Sequence, residues 1–302
     1  MTTLIVGCGY LGRRVGRLLA NRHETVHGTT RSESGGEELA RWGVRPVIAD
    51  VLDPASLARL PEADRVVYCV GFDRAAGLPM RTVYVDGLRD ALEALAGKTR
   101  RVVYASATSV YGHNDGGWVD EDSPTEPTTE SGRVCLDAET LAASVAAERG
   151  LELVVVRYSG LYGPGRILRR AAIEKGEPIV GDPAKWLNLI QIDDAASAAV
   201  AALDHGVPGR VYLATDDQPV ERRGFYEFVA TALGAPPPRF VSPEPGGAEA
   251  RREDSNKRVS NRRIRAELGF KPAYPGSRQG VMAALESERF EGGPGSSGPI
   301  LA

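Results

Sequence analysis

The sequence predicts an α/β fold, a doubly wound parallel sheet followed by a smaller C-terminal substrate lobe. Short apolar runs alternate with helical periodicity through the first half of the chain, which is typical of parallel strands covered by helices on both faces. A glycine-rich turn, GCGYLG at residues 7–12, joins an apolar run to a helix-like repeat. After residue 157 glycine and proline become frequent and the predicted elements shorten, which indicates the lobe.

The predicted strands of the sheet are short and mostly apolar. They cover residues 3–7, 24–28, 45–48, 64–70, 101–106 and 152–157. Helices are predicted at residues 11–21, 36–42, 54–60, 79–96 and 133–149. The runs VVYA at 102–105 and LVVV at 153–156 are continuously apolar, so both faces of these strands should be buried. Gly150 predicts the end of the last helix.

The lobe is predicted to begin at residue 158, which divides the chain into residues 1–157, 158–290 and a Gly/Pro/Ser-rich tail at 291–302 that we expect to be disordered. Its helices are predicted at 166–174, 193–204, 222–234, 260–268 and 277–289, and its strands near 178–180, 187–191, 210–213 and 238–241. We expect Asp193 and Asp194 to cap their helix, and part of the lobe's helices to pack on the main sheet.

The three glycines of the turn have distinct roles in binding a dinucleotide. Gly7 permits a tight turn, Gly9 lets a pyrophosphate approach the backbone, and Gly12 lets the helix pack closely on the strand. Tyr10 and Leu11 lie within the same predicted binding turn, where N–H groups of the first helical turn face the phosphates. The alternative is a glycine-rich connection that holds no ligand.

The end of the second strand favours NADP over NAD as the cofactor. An NAD site usually has a carboxylate here that binds the ribose 2′-hydroxyl, but this chain has none until Glu33. Thr29, Thr30 and Arg31 suit a 2′-phosphate instead, through hydroxyl hydrogen bonds and a charged fork. A solvated Arg31 without a ligand is the alternative.

Composition excludes several other classes. The chain has 302 residues, 42% of them hydrophobic, and a net charge of −3, which gives no general attraction to nucleic acid or to an anionic membrane. The three cysteines form no C-x-x-C pair, and the scattered acidic residues have no metal-ligand spacing, so we predict neither disulfides nor a metal site. No signal peptide or apolar run of ~18–20 residues is present, so we expect a cytoplasmic protein without a membrane span.

Further motifs, in order along the chain, resemble those of the extended short-chain dehydrogenase/reductase superfamily, often labelled NAD-dependent epimerase/dehydratase. They are ADVLD at 49–53, SATSVYG at 106–112, EDSP at 121–124, RYSGLYGPG at 157–165 and QIDDA at 191–195. The pieces ATDDQPV at 214–220 and KRVSN at 257–261 resemble an atypical bacterial branch. The resemblance implies a Rossmann fold and a small carbonyl or nucleotide-linked sugar as substrate.

The resemblance also implies particular roles around the cofactor. Asp50 and Val51 would hold the adenine, Val70 and Gly71 would line the path from ribose to nicotinamide, and Tyr158 would approach the nicotinamide. An Asx turn is the alternative role of Asp50.

A homodimer is common in the superfamily. It would form through helices 79–96 and 133–149. Leu136, Leu141 and Val145 permit this pairing, although packing within one chain would use the same residues.

The catalytic positions depart from the superfamily's Ser/Thr, Tyr and Lys. Ser131 occupies the tyrosine position, Cys135 the lysine position, and an ungapped count places Ala107 at the Ser/Thr position. The candidate catalytic residues are therefore neighbours and substitutes: Ser106, Thr108, Tyr111 and Ser131. Other residues that remain open as the acid or base are Tyr158, Tyr162 and His113. A cysteine inside a helix is typically buried and inert, which we expect of Cys135.

Two functions remain open. The first is an atypical NADP-binding oxidoreductase or epimerase with non-standard acid/base residues; the second is a catalytically silent NADP(H)-binding sensor or scaffold protein. A closed polar pocket favours the first and an exposed apolar patch the second. A basic run at 251–265, with six Arg and one Lys, either meets a substrate phosphate or is a solvated helix face.

Overall fold

Seven parallel strands form the central sheet of the computed structural model, which describes residues 1–244 and 255–291 (backbone only at 290 and 291). These strands are β1 Thr2–Val6, β2 Thr25–Thr30, β3 Arg45–Ile48, β4 Arg65–Tyr68, β5 Arg101–Ala107, β7 Glu152–Tyr158 and β12 Val211–Ala214. Their spatial order is β12-β7-β5-β4-β1-β2-β3, and every adjacent pair is parallel. The order reverses between β1 and β4, and open α/β sheets bind ligands in the crevice at such a point, outside the carboxyl ends of the strands.

Helices cover both faces of this sheet. The helices of the sheet and of the lobe, in the residues that the structure describes, are α1 Gly12–Asn21, α2 Glu33–Arg41, α3 Pro54–Leu57, α4 Gly87–Leu95, α5 Glu130–Arg149, α6 Arg170–Glu174, α7 Ile192–His205, α8 Arg222–Leu233, α9 Arg262–Leu268 and α10 Ser277–Glu291. Helices α6, α8 and α10 pack in the lobe. Helices α1, α2, α7 and α9 pack on one face, and α3, α4 and α5 on the other. Val102 and Val103 are both fully buried, one towards each layer. The predicted doubly wound fold is therefore confirmed.

The lobe is built from short strand pairs and its own apolar core. The pairs are β6 Trp118–Val119 with β15 Arg258–Val259, β8 Gly160–Tyr162 with β11 Leu189–Gln191, β9 Ile179–Val180 with β14 Phe240–Val241, and β10 Trp186–Leu187 with β13 Val220–Glu221. Tyr162, Ile173, Phe225 and Val281 are buried together in this core.

Two elements of the segment predicted as lobe join the main sheet. They are its seventh strand, β12, and helix α7, which packs on β4, β5 and β7 as expected for part of the lobe's helices. The boundary after residue 157 stays a prediction. Pairing with β12 covers the edge of β7, which would otherwise expose its backbone N–H and carbonyl groups. Residues 292–302 of the predicted tail 291–302, and Arg251 and Arg252 of the basic run, lie outside the described residues, whereas Glu291 ends helix α10.

Several helix ends also differ from the predictions. The side chain of Gln191, not of Asp193 or Asp194, caps α7, and Asp194 instead accepts hydrogen bonds from the N–H groups of Ala273 and Tyr274 at 2.7 and 2.9 Å. The predicted caps were wrong because α7 begins at Ile192, so its cap position is Gln191, two residues before Asp193. The helix predicted over residues 79–96 begins with a π-helical turn, Thr82–Asp86, before α4.

Helix α5 begins three residues before its predicted start and ends where the sequence predicts. The Thr129 hydroxyl accepts a hydrogen bond from the Gly132 N–H at 3.1 Å, which caps the extra turn. At the other end Gly150 adopts the left-handed conformation with φ of 67°, so the predicted stop is confirmed. In the described ranges no helix is long and apolar enough to cross a membrane. The cytoplasmic location stays a prediction.

Candidate active site

The glycine-rich turn joins β1 to α1 at the crevice between β1 and β4. Gly7 has a φ of 91°, and a Cβ atom on it would lie 2.6 Å from the Cα of Val70. A Cβ atom on Gly12 would lie 2.5 Å from the Gly7 carbonyl oxygen. At Gly9, by contrast, a Cβ atom would meet no atom within 4 Å. The turn therefore needs glycine at its two ends and leaves open space at its middle.

This open space suits a dinucleotide. The first turn of α1 has no acidic residue, and its cap residue Leu11, which is buried in the core, makes no side-chain hydrogen bond there. Gly71 also faces open space at the end of β4. At the end of β7 the hydroxyls of Tyr158 and Ser159 are buried without a hydrogen-bond partner among the described residues. A pyrophosphate at the helix terminus and a ligand near β7 fit these positions.

Tyr10 connects the turn to the loop after β8. Its hydroxyl donates a hydrogen bond to the carbonyl of Pro164 at 3.1 Å. The guanidinium carbons of Arg14 and Arg166 lie 4.5 and 5.5 Å from the centroid of its ring. Desolvation raises the pKa of the Tyr10 hydroxyl to about 12, so it stays protonated. Tyr10 thereby holds one wall of the crevice against the turn.

The residues predicted to choose between NAD and NADP lie at the end of β2. The Thr29 hydroxyl accepts a hydrogen bond from the Gly7 N–H at 2.8 Å and so supports the turn. Thr30 lies half-buried against the first turn of α2. Arg31 is exposed, and its Nη2 lies 3.2 Å from the carboxylate of Asp73. Asp73 is a neighbour that the sequence did not reveal, because it follows β4 and not β2.

The two residues predicted at the adenine make local contacts. Asp50 accepts a hydrogen bond from the Leu52 N–H at 2.9 Å, which is the Asx turn considered as its alternative role. Val51 is 9% exposed and packs with the residues of α4. Contact of either residue with adenine stays a prediction.

A buried hydrogen-bond network underlies the predicted catalytic region. Arg157 on β7 forms a two-pronged ion pair with Glu139 on α5, with nitrogen–oxygen distances of 2.9 and 2.6 Å. The Ser106 hydroxyl donates to the same carboxylate at 2.5 Å. Arg157 also donates to the Tyr111 hydroxyl at 2.6 Å. The network engages the hydroxyls of two predicted catalytic residues, Ser106 and Tyr111, and joins the ends of β5 and β7.

The remaining predicted catalytic residues are more open. Thr108 is half-buried in the short 3-10 turn Thr108–Val110, and Ser131 is exposed on the first turn of α5. Burial raises the pKa of Tyr111 to about 12 and also raises the pKa of the Cys135 thiol. The Cys135 thiol is therefore protonated at neutral pH, which agrees with the expected inert role. Which of these residues acts in catalysis stays a prediction.

Sequence reasoning missed Lys257 as a candidate. It lies on the segment before β15, is 7% exposed, and donates hydrogen bonds from Nζ to the Tyr111 carbonyl at 2.8 Å and the Ser255 hydroxyl at 2.5 Å. Desolvation lowers the pKa of this ammonium to about 8. The motif KRVSN includes it, but nothing in the sequence distinguishes it from the solvated cations of the same run.

A second buried titratable group lies at the end of β12. Asp216 is 2% exposed; its Oδ1 accepts a hydrogen bond from the Gln218 N–H at 3.2 Å, and its Oδ2 has no partner in the described part of the chain. Desolvation raises the pKa of its carboxyl to about 8, and the nearby Asp217 and Asp194 add to the rise. Across residues 1–244 and 255–291, no group of three or more His, Cys, Asp or Glu side chains is arranged to hold a metal ion.

Comparison with known proteins decides the family. The family model described as "NAD dependent epimerase/dehydratase family" matches residues 3–214, from β1 to the end of β12. The chain belongs to this family. The resemblance drawn from the motifs is thereby confirmed.

The relatives of this epimerase/dehydratase family member cover it almost completely. "Protein YeeZ" of Escherichia coli (strain K12) is 30% identical over 277 residues, which cover 90% of this chain and 95% of YeeZ. The structure of a functionally unknown conserved protein from Silicibacter pomeroyi DSS matches with a TM-score of 0.79 at 32% identity, over 95% of this chain and 98% of that one.

A further solved structure shows a likeness of fold alone. DesIV, a dTDP-glucose 4,6-dehydratase from Streptomyces venezuelae solved with NAD and TYD bound, matches with a TM-score of 0.82 at 23% identity, over 97% of this chain and 98% of DesIV.

Proposed function

We propose that this family member is a nicotinamide-dinucleotide-dependent oxidoreductase or epimerase that acts on a small carbonyl or nucleotide-sugar substrate. The observation that carries the proposal is the cradle at the switch point of the sheet, where a Cβ atom on Gly9 would face open space while Gly7 and Gly12 are tightly packed. When bound there, the dinucleotide supplies or accepts a hydride. The dehydratase named for DesIV, which was solved with NAD and TYD, supports a nucleotide-linked substrate.

The chain's own residues divide the remaining work. The N-terminus of α1 would hold the pyrophosphate, and the loops after β4 and β7 would position the reacting half of the cofactor. The buried Glu139–Arg157 pair joins α5 to the end of β7, and the Ser106 hydroxyl joins the end of β5 to the same carboxylate. A non-standard residue must exchange the proton, since Ser131 and Cys135 replace the family's tyrosine and lysine.

We further propose NADP(H) as the preferred cofactor, with Arg31 and Thr30 at the 2′-phosphate. Arg31 is exposed, and its contact with Asp73 is a surface ion pair that a phosphate can replace at little cost. NAD, the cofactor with which DesIV was solved, is the alternative. We also propose a homodimer through α4 and α5. Of the three residues predicted for its interface, Val145 is buried in the chain's own core, and Leu136 and Leu141 are half-buried and can contact a second copy.

Calorimetric titration with NADPH and with NADH tests the cofactor. We expect Arg31→Ala to weaken NADPH binding by about 10- to 100-fold, the equivalent of a charge-assisted hydrogen bond, and to leave NADH binding unchanged. Asp73→Asn is the matched variant, which removes the competing anion and should tighten NADPH binding by up to about fivefold. Equal effects of Arg31→Ala on both cofactors would contradict the NADP preference. Absence of binding for both cofactors would overturn the proposed function.

Turnover tests the reaction class. Oxidation of NADPH in the presence of a panel of small aldehydes, ketones and keto-sugar nucleotides should identify a substrate. Tight NADPH binding without turnover of any compound in the panel would instead favour the catalytically silent sensor or scaffold.

A further inference from the structure

Lys257 carries a buried positive charge that no carboxylate balances within the described residues. Its two hydrogen-bond acceptors, the Tyr111 carbonyl and the Ser255 hydroxyl, are both neutral. The other buried cation of this region, Arg157, is instead paired with Glu139 at 2.6 Å. An unbalanced ammonium in a buried position is unfavourable unless a ligand or a function requires it. Of these two buried cations in the described residues, Lys257 is therefore the one that remains available to a substrate.

The surroundings of Lys257 place it at the ligand-binding edge of the sheet. Tyr111, which accepts its hydrogen bond, follows β5. The backbone carbonyl of Lys257 accepts a hydrogen bond from the side chain of Asn188 at 2.9 Å. The backbone carbonyl of Asn188 in turn accepts a hydrogen bond from the N–H of Gly160, shortly after β7, also at 2.9 Å. The segment with Lys257 is thus fixed between loops that leave the carboxyl ends of two neighbouring sheet strands, where substrates bind in such sheets.

The backbone of the segment that carries Lys257 is held on both sides of this residue. The Asn188 side chain accepts a hydrogen bond from the Val259 N–H at 2.7 Å, so one side chain holds both sides of Lys257. β15 pairs with β6 in parallel, which anchors the segment on its other edge. Two of the three ammonium hydrogens have acceptors among the described residues, so the group has the capacity to donate one more hydrogen bond, to a substrate oxygen.

We propose that Lys257 is the proton donor to the substrate oxygen, in place of the absent Tyr–Lys pair; this inference rests on the proposed function. In carbonyl reduction, the carbonyl carbon accepts the hydride of the reduced nicotinamide dinucleotide, and the C=O π electron pair moves to oxygen. An N–H bond of Lys257 breaks, and its proton passes to that oxygen. The carbonyl becomes an alcohol, the dinucleotide is oxidised, and the neutral amine regains a proton from solvent. The lowered pKa of Lys257 makes its ammonium a stronger acid than that of an ordinary lysine, which favours transfer of the proton near neutral pH.

Reductive labelling tests whether the Lys257 amine meets carbonyl compounds, without the need for a known substrate. The chain has five lysines, Lys98, Lys175, Lys185, Lys257 and Lys271, so peptide mapping resolves them individually. The probe is glyoxylate with cyanoborohydride, which converts an accessible neutral amine into a stable secondary amine. With a pKa of about 8, Lys257 has about 200-fold more neutral amine near pH 7 than an ordinary lysine.

We therefore expect Lys257 to be labelled about tenfold or more faster than the exposed Lys271 near pH 7, because burial offsets part of its advantage. Failure to label Lys257 under conditions that label Lys271 would overturn the proposal, since the amine would then be closed to carbonyl compounds. Titration of the same unlabelled protein with NADPH separates this outcome from a failure of the proposed function.

Variants separate proton donation from a structural role. Lys257→Met keeps the length of the side chain without its charge, Lys257→Arg keeps the charge but does not release its proton, and Lys271→Met is the control. All should bind NADPH like wild type. With a substrate from the panel, wild-type kcat/KM for reduction should fall as the pH rises through about 8, and both Lys257 variants should lose this pH dependence with at least about a tenfold lower kcat. Unchanged pH profiles in the variants would assign Lys257 a structural role only.

Discussion

Asp216→Asn replaces a buried ionisable carboxyl after β12 by an amide that cannot ionise and has nearly the same shape. In the wild type, Oδ1 accepts the Gln218 N–H, and Oδ2 has no partner in the described part of the chain. The carboxyl is 2% exposed, and burial raises its pKa from 3.8 to about 8. The folded protein therefore holds this carboxyl in its neutral, protonated form at neutral pH.

The sign of the pH dependence follows from this raised pKa. Between about pH 4 and pH 8 the folded state binds one proton more than the unfolded state at this site. The contribution of Asp216 to stability is full below the unfolded pKa and is lost as the pH rises towards the folded pKa. The loss is on the order of 5 kcal/mol by about pH 8, at ~1.4 kcal/mol for each unit of the shift.

Asparagine does not ionise, so the variant avoids this loss. Its amide nitrogen takes the place of Oδ2, which carries the proton of the neutral carboxyl and is equally a buried donor without a partner in the described residues, so the two side chains cost about the same where Asp216 is neutral. We therefore expect Asp216→Asn to be on the order of 5 kcal/mol more stable than wild type near pH 8 and within about 1 kcal/mol of it near pH 4.

Urea unfolding of both proteins at about pH 4, 6 and 8 measures the free energies of unfolding. Asp86→Asn, an exposed carboxylate on the turn before α4, is the control and should change stability equally at each pH. A difference between Asp216→Asn and wild type that stays constant across this range would refute the reasoning, because the carboxyl would then not titrate between these values.

Two further predictions concern the cradle and the buried ion pair. Gly9→Ala should unfold like wild type, since its methyl group meets no atom within 4 Å, but should weaken NADPH binding about tenfold or more, because the methyl fills the proposed pyrophosphate position. In Gly12→Ala the methyl group would lie 2.5 Å from the Gly7 carbonyl oxygen, so this variant should lose about 1–3 kcal/mol of stability in urea unfolding. If Gly9→Ala and Gly12→Ala behave alike in NADPH titration and in urea unfolding, the assigned geometry is contradicted. Glu139→Gln leaves Arg157 buried without a charged partner and should lower the free energy of unfolding in urea by about 3–5 kcal/mol. The double variant Glu139→Met with Arg157→Met should recover most of this stability. A single variant as stable as wild type would contradict the assignment of a buried charge pair.

The sheet and the cradle were predictable because their signals are local. Strand β1, the turn at Gly7 and helix α1 are adjacent in sequence, so apolar periodicity and glycine spacing predict their structure without distant contacts. The same holds for the left-handed stop at Gly150. The cap of α7 was mispredicted although it is also local, because Gln191 is a rarer cap residue than the aspartates that follow it.

By itself, therefore, the sequence determined the doubly wound architecture and the glycine cradle, and it predicted that Ser131 and Cys135 stand at the positions of the family's tyrosine and lysine. Only the tertiary structure decided that β12 completes the sheet, that Asp73 contacts Arg31, and that Lys257 is buried beside Tyr111, which lies 146 residues earlier in the chain. Burial and charge compensation depend on groups from distant segments. Neither residue type nor spacing reveals which lysine of a basic run loses its solvent when those segments pack together.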